Sequence, residues 1–259
     1  MASGSRATQG KNQTMDEVIF VGTSDAFGAG GRRQSAILVR GPRGTLLMDC
    51  GATTNTGLVQ LGIDRNEIET ILISHFHSDH FGGIPLYLLA ALYEDNRQQP
   101  LAIVGPPGIE AKVRALASAM GHSMDSHEWP FVITFHEVRA GTEQEFGPAQ
   151  IAAFKTQHQL EANPHGYRVD VGGARVAYSG DTGWFAGLPA HVAGADLFAC
   201  ECTLFDRHLD FHLSLDEIRT HRAELDVGRL VLTHLGSAMS RERETIEFET
   251  ADDGLVIGL

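Results

Sequence analysis

A chain of 259 residues that is 42% hydrophobic and 20% charged holds enough apolar material for one sizeable domain, which excludes wholesale disorder. Its 20 Lys and Arg against 33 Asp and Glu give a formal charge of −13. That balance disfavours a protein that grips extended nucleic acid through its surface, because phosphate binding depends largely on cation number. It leaves room for a small anionic substrate at a buried metal, whose own charge dominates locally.

Residues 1–15 are polar, lack the apolar core of a signal peptide, and read as a disordered leader or expression remnant. The remaining 16–259 read as one domain. Val18 to Val21 is the first strand, followed by a Gly-rich loop from Gly22 to Arg33. Ala36 to Arg40 and Thr45 to Met48 are strands joined by the hairpin sequence Gly41-Pro42-Arg43-Gly44. Thr53 or Thr54 caps a helix to about Leu61, and Ile68 to Ile73 is a buried strand. A helix from Gly83 to about Tyr93, a strand from Pro100 to Val104 and a helix ending at Gly121 follow, with Pro107 expected in that helix's first turn.

Further strands are expected at Phe131 to Val138, Ile151 to Gln157, Tyr167 to Val171, Arg175 to Ser179 and Asp196 to Cys202, the last after a loop containing Pro189. Ser214 with Glu217 forms a capping box for a helix to about Ala223, and Leu230 to Leu232 and Leu255 to Ile257 close the chain. Strand-rich halves that each end in strand–helix alternation indicate a layered α/β domain. No apolar stretch approaches the ~20 residues that cross a bilayer, so no membrane partner is expected. Cys50, Cys200 and Cys202 form no C-x-x-C pair and read as reduced thiols of a cytoplasmic protein.

The most informative stretch is Ser74-His75-Phe76-His77-Ser78-Asp79-His80, placed where the apolar run Ile71-Leu72-Ile73 becomes a loop. Alternation puts His75 and His77 on one side, and a turn through Ser78 brings Asp79 and His80 to a neighbouring spot. Imidazoles and a carboxylate packed this densely call for a divalent cation, since neutral imidazole nitrogen and carboxylate oxygen suit zinc at about 2.0–2.2 Å. His122, His127, His136, His191, His208 and His221 have no ligand spacing and read as solvated or packed side chains, and Cys200 and Cys202 share one strand face as core packing. The Gly22–Arg33 loop has no Lys-Ser/Thr after it, which excludes a P-loop.

The stretch His75-Phe76-His77-Ser78-Asp79-His80 resembles the signature of the metallo-β-lactamase-fold hydrolases, and the family's other signals follow in order. Leu47-Met48-Asp49-Cys50-Gly51 is similar to its Asp-x-Gly turn. His158 follows a strand, Ser179-Gly180-Asp181-Thr182 is similar to its Gly-Asp-Thr, and Thr233-His234 follows Leu230-Val231-Leu232. The resemblance implies a four-layer αββα sandwich and two divalent metal ions, zinc first, with manganese or iron also compatible with the donors. By the same resemblance one ion takes His75, His77 and His158, and the second takes Asp79, His80 and His234, with Asp181 bridging. Asp49 would orient the ligand loop. His165, seven residues beyond His158, is the competing choice. Asn163-Pro164 before it argues for a turn, and the histidine, short loop and Gly-Tyr-Arg strand of the ribonuclease Z branch favour His158.

Glu201-Cys202-Thr203 and His212-Leu213-Ser214 are similar to that branch's Glu-Ala-Thr and His-Ser-Thr segments, with Cys and Leu replacing Ala and Ser. The implied catalytic group is Asp79 at the metal with Glu201 and His212, a histidine held by a glutamate that assists at the scissile phosphate. The first loop also resembles this branch, with Arg32 or Arg33 placed to pair a substrate anion. Two features depart from a transfer-RNA processing enzyme: the interval from His158 to Asp181 leaves no room for the RNA-binding arm, and no Lys/Arg-rich segment replaces it. The resulting expectation is a phosphodiesterase using a metal-bridging hydroxide on small or cyclic phosphodiesters or short nucleotides, working as a homodimer like its armless relatives. The alternatives are a lactonase or β-lactamase-like hydrolase on the same metals, or a metal or ligand sensor without turnover.

Overall fold

The structure, a computed structural model, describes residues 16–259, so the expected leader lies outside the described residues. Apolar, β-branched runs make β1 (Glu17–Gly22), β2 (Ala36–Gly41) and β3 (Gly44–Met48), an antiparallel meander turning tightly at Pro42-Arg43. Strand–helix alternation then adds α1 (Thr54–Gln60), β4 (Ile68–Leu72), α2 (Ser78–Phe81), α3 (Ile84–Tyr93), β5 (Leu101–Gly105), α4 (Ile109–Ala119) and β6 (Ile133–Glu137). The second half repeats the plan. β7 (Glu143–Phe146), β8 (Ala149–Lys155), β9 (His165–Val171) and β10 (Ala174–Tyr178) are antiparallel. α5 (Leu188–Val192), β11 (Ala195–Glu201), α6 (Leu215–His221), β12 (Val227–Thr233) and α7 (Ser237–Glu242) follow. β13 (Val256–Gly258) returns to pair with β1.

One sheet runs β13-β1-β2-β3-β4-β5-β6 and the other β12-β11-β10-β9-β8-β7. Phe20, Met48 and Leu72 of the first sheet meet Tyr167, Tyr178 and Leu197 of the second in the central core. The outer face of the first sheet is covered by α1, α3 and α4 through Leu58, Tyr87 and Val113. That of the second is covered by α5, α6 and α7 through Leu188, Ile218 and Met239. The inner strands of each sheet are buried on both faces, which is why they read as nearly continuous apolar runs. The result is the expected αββα sandwich. No helix among the described residues is long and apolar enough to cross a membrane.

Several local expectations need correction. Pro107 precedes its helix, which starts at Ile109 after Gly108 adopts φ 96°. Pro189 lies inside α5, in the first turn where its missing N–H costs little. The strand expected at Ile151 to Gln157 spans Ala149–Lys155, so His158 sits in the following loop, and β9 starts two residues before the expected Tyr167. β7 had no sequence signal because Glu143, Gln144 and Glu145 are an exposed, polar edge.

Truncating Phe20, fully buried between the sheets, to Ala should destabilise the fold by about 3–5 kcal/mol. Val132→Ala, at a side chain 61% exposed, should change stability by less than about 0.5 kcal/mol. Urea unfolding with chelator present, which removes metal linkage, checks both.

Candidate metal centre

The parallel strands of both sheets aim their C-terminal ends at one place, where open α/β sheets commonly bind ligands. β3 delivers Asp49, β4 the histidine motif, β10 Asp181, β11 Glu201 and β12 His234. His158 arrives from the loop after β8. Asp49 and His234 hold φ of 63° and 54°, the left-handed region that bulkier residues avoid, so both turns are locally strained. Gly51 is required by close approach, since a Cβ there would collide with the Asp79 carbonyl.

The expected ligands assemble as two quartets that share Asp181. In the first, His77 Nδ1 lies 3.1 Å from both His75 Nε2 and His158 Nε2. Asp181 Oδ2 lies 3.6 Å from His75 Nε2 and 3.8 Å from His158 Nε2. In the second, His80 Nε2 is 3.2 Å from both Asp79 Oδ2 and Asp181 Oδ1, and His234 Nε2 is 3.4 Å from the same two oxygens. Tetrahedral donors around a zinc ion at about 2.0–2.1 Å are about 3.3 Å apart, so these separations fit the ion. His165 Nε2 belongs to neither quartet; its Nδ1 donates to the Asn163 carbonyl, and burial pushes its pKa down to about 4.

Hydrogen bonding on the far side of each ring fixes the tautomers. His80 Nδ1 donates to Asp49 Oδ2 at 2.7 Å and His158 Nδ1 to the Phe211 carbonyl at 2.8 Å. Ser74 Oγ donates to Asp49 Oδ2 and so accepts from His75 Nδ1; Thr203 Oγ1 donates to Glu201 Oε2 and so accepts from His234 Nδ1. With the far nitrogens hydrogen-bonded, the four buried imidazoles aim Nε2 at Asp181, and those of His80 and His234 at Asp79 as well, which is how metal-binding histidines are oriented. His80 Nε2 and Asp181 Oδ1 are buried without a hydrogen-bond partner, which is the orphaned state a metal ligand would show.

The electrostatics agree. Burial opposes its ionisation, yet the His234, His80 and His75 imidazoles hold the Asp181 carboxyl well below the usual carboxylate range. Burial likewise opposes protonation of His80, but Asp181, Asp79 and Asp49 hold it well above its ordinary value. His75 is pushed well below its ordinary value by burial and by His80. The pocket demands positive charge and cannot place it on every ring as protons.

Beside the quartets, the fully buried Glu201 accepts from Thr182 N, Thr203 N and Oγ1, Leu213 N and His212 Nδ1, the last at 2.9 Å. Burial lowers the His212 pKa, but the adjoining Glu201 carboxylate outweighs it and raises it to about 9, so His212 is cationic at neutral pH. His212 lines a cleft of about 530 Å³ together with His77, Asp79, His158, Asp181 and His234.

The first loop meets this cleft through Asp25, Ala26 and Phe27, not through its arginines. Arg32 pairs with Asp252 and Arg33 with the Val21 carbonyl, Gln60 and Asp253, which corrects the expectation that either faces a substrate anion. Sequence reasoning missed Ser74, Tyr178 and Thr203, the hydroxyls that fix Asp49 and His234. It also missed Arg207 and Arg241, which line the cleft. Ser74 and Thr203 had a signal, as the first residue of the histidine stretch and the last of Glu201-Cys202-Thr203. His191 stacks on Phe154 and His221 on Trp184, packed roles outside the centre, and Cys200 and Cys202 are buried in the core.

Fold and site together define a metal-dependent hydrolase of the metallo-β-lactamase fold, in its ribonuclease Z-like branch. More narrowly, residues 17–251 match the family described as anti-Pycsar protein Apyc1, and the chain belongs to that family. Ribonuclease Z of Mycobacterium avium is 29% identical over 250 residues, covering 89% of each chain. The short form of human tRNase Z superposes with a TM-score of 0.76 at 27% identity, over 93% of this chain and 98% of that one. A diphosphatase of the PhnP family gives 0.77 at 16% identity, over 94% and 98%.

His158→Ala should lower bound metal per chain, whereas His165→Ala should leave it unchanged. Elemental analysis after dialysis against chelated buffer checks this; the reverse pattern would move the ligand to His165.

Proposed function

We propose that the chain holds two divalent ions, zinc by donor chemistry, and hydrolyses small or cyclic phosphodiesters. The observation that carries the reading is the pair of donor quartets joined through Asp181, with the cationic His212 on the wall of the same cleft. His75, His77 and His158 would hold one ion and Asp79, His80 and His234 the other, with Asp181 shared. Ions so held supply Lewis acidity and water activation near neutral pH. Glu201 accepts from His212 Nδ1 and keeps the ring protonated, leaving Nε2–H to donate to the departing oxygen. That role matters for a phosphodiester that expels an alkoxide and much less for a carbonyl compound with a good leaving group.

Substrate size follows from the chain between His158 and Asp181, which is occupied by the β9–β10 hairpin with its tight Gly172-Gly173 turn. A cleft of about 530 Å³ is of the size that encloses small ligands. Phe27, 91% exposed at the cleft, offers an aromatic face suited to a nucleobase. Exposed Val59, Leu86 and Tyr93 on α1 and α3 support assembly as a homodimer, and the free, buried Cys50, Cys200 and Cys202 support a reducing, cytoplasmic setting.

The zinc-loaded chain should hydrolyse bis(p-nitrophenyl) phosphate, and Asp181→Ala should abolish it; faster turnover of lactones than of phosphodiesters would overturn the reading. His212→Ala should slow hydrolysis of phosphodiesters with alkoxide leaving groups by roughly 10²–10⁴-fold, and far less for p-nitrophenolate, which leaves without a proton. Equal losses on both substrates would refute the acid role.

A further inference from the structure

The rings of the two quartets are not backed alike. In the second quartet His80 Nδ1 donates straight to the Asp49 carboxylate at 2.7 Å, and His234 Nδ1 donates to Thr203 Oγ1, which itself donates to Glu201. In the first quartet His158 leans on the Phe211 carbonyl, in the segment between β11 and α6, and His77 lines the open cleft. Among the described residues, only His75 links that quartet to a buried carboxylate behind the centre, and it does so through Ser74.

Ser74 is placed for such a relay. It is fully buried, and its amide and hydroxyl donate to the two oxygens of Asp49 at 2.7 and 2.8 Å. A hydroxyl has one hydrogen to give and the carboxylate is the stronger acceptor, so an Oγ lone pair faces His75 Nδ1 at 3.0 Å. A neutral imidazole carries one N–H. Held on Nδ1 by Ser74, that proton leaves Nε2 bare toward His77 Nδ1 and Asp181 Oδ2. Without the hydroxyl, Nδ1–H is a buried donor with no partner, and the proton is better placed on Nε2, facing Asp181. That tautomer closes the ligand atom. His80 has no such weakness, because a carboxylate accepts from it directly.

We infer that Ser74 is the positioning residue of the first ion. Its hydroxyl extends the hold of Asp49 to His75, so the affinity of the His75, His77 and His158 quartet depends on it and that of the second quartet does not. This rests on the reading of the centre as a pair of metal sites. One carboxylate then serves a ligand of each ion, His80 by contact and His75 by relay.

The test is a zinc titration of the metal-free chain against a chromophoric chelator, paired with nitrogen NMR spectra of the histidine rings. Ser74→Ala should weaken one of the two zinc sites by about 10–100-fold and leave the other nearly unchanged. The ring spectra should assign the weakened site to His75, His77 and His158. Tyr178→Phe removes a different donor from Asp49 Oδ2 and should keep the balance between the two sites as in the native chain. Equal weakening of both sites by Ser74→Ala, no weakening, or the same selective loss in Tyr178→Phe overturns the inference. The native metal-free chain supplies a readout that needs no variant to fold: His75 should carry its proton on Nδ1, and a proton on Nε2 instead overturns the inference. If the native chain takes up no zinc, the reading of the centre fails, and the ring tautomer still decides what Ser74 does.

Discussion

The structure is organised around an electrostatic demand: five imidazoles and two carboxylates share one space, and protonation of the rings cannot supply all the positive charge it calls for. Lone pairs packed 3.1–3.8 Å apart repel unless positive charge lies between them. Protons serve only in part: against burial, Asp181, Asp79 and Asp49 hold the His80 pKa well above its ordinary value, while burial and His80 push that of His75 well below it. A divalent cation would relieve the repulsion and give each of these nitrogens a partner. The hydrogen bonds on the outer nitrogens hold the inner ones in the orientation a ligand needs.

Two buried carboxylates transmit this demand into the fold. Asp49, at the end of β3, gathers Ser74, His80 and Tyr178, so it ties the first sheet to β10 of the second. Glu201, at the end of β11, gathers the loops that carry Asp181, His212 and, through Thr203, His234. Each sheet thus ends in a carboxylate hub beneath the centre. The central core fixes how the two sheets face one another and so fixes the distance between the hubs. The left-handed backbone at Asp49 and His234 is tolerated because these hydrogen bonds and the packing around them over-determine both turns.

How much of this could be read from the chain depends on how local each signal is. The histidine motif is contiguous and follows an apolar strand, so its chemistry is visible without any tertiary knowledge. Asp181 and His234 are legible because each follows a buried strand in a short, recognisable sequence. Arg32 and Arg33 misled because a Gly-rich loop does not disclose which way its side chains turn, and their partners Asp252 and Asp253 lie more than two hundred residues away. Arg207 and Arg241 carry no pattern at all; only the fold brings them to one cleft. β7 was hidden for a related reason, since an exposed edge strand needs no apolar alternation.

The central claim is best tested by diffraction from zinc-soaked crystals, with anomalous maps recorded above and below the zinc absorption edge. The account predicts two peaks flanking the Asp181 carboxylate, one enclosed by His75, His77 and His158 and the other by Asp79, His80 and His234. No peak at that carboxylate, a single one, or zinc bound only elsewhere on the chain would contradict it.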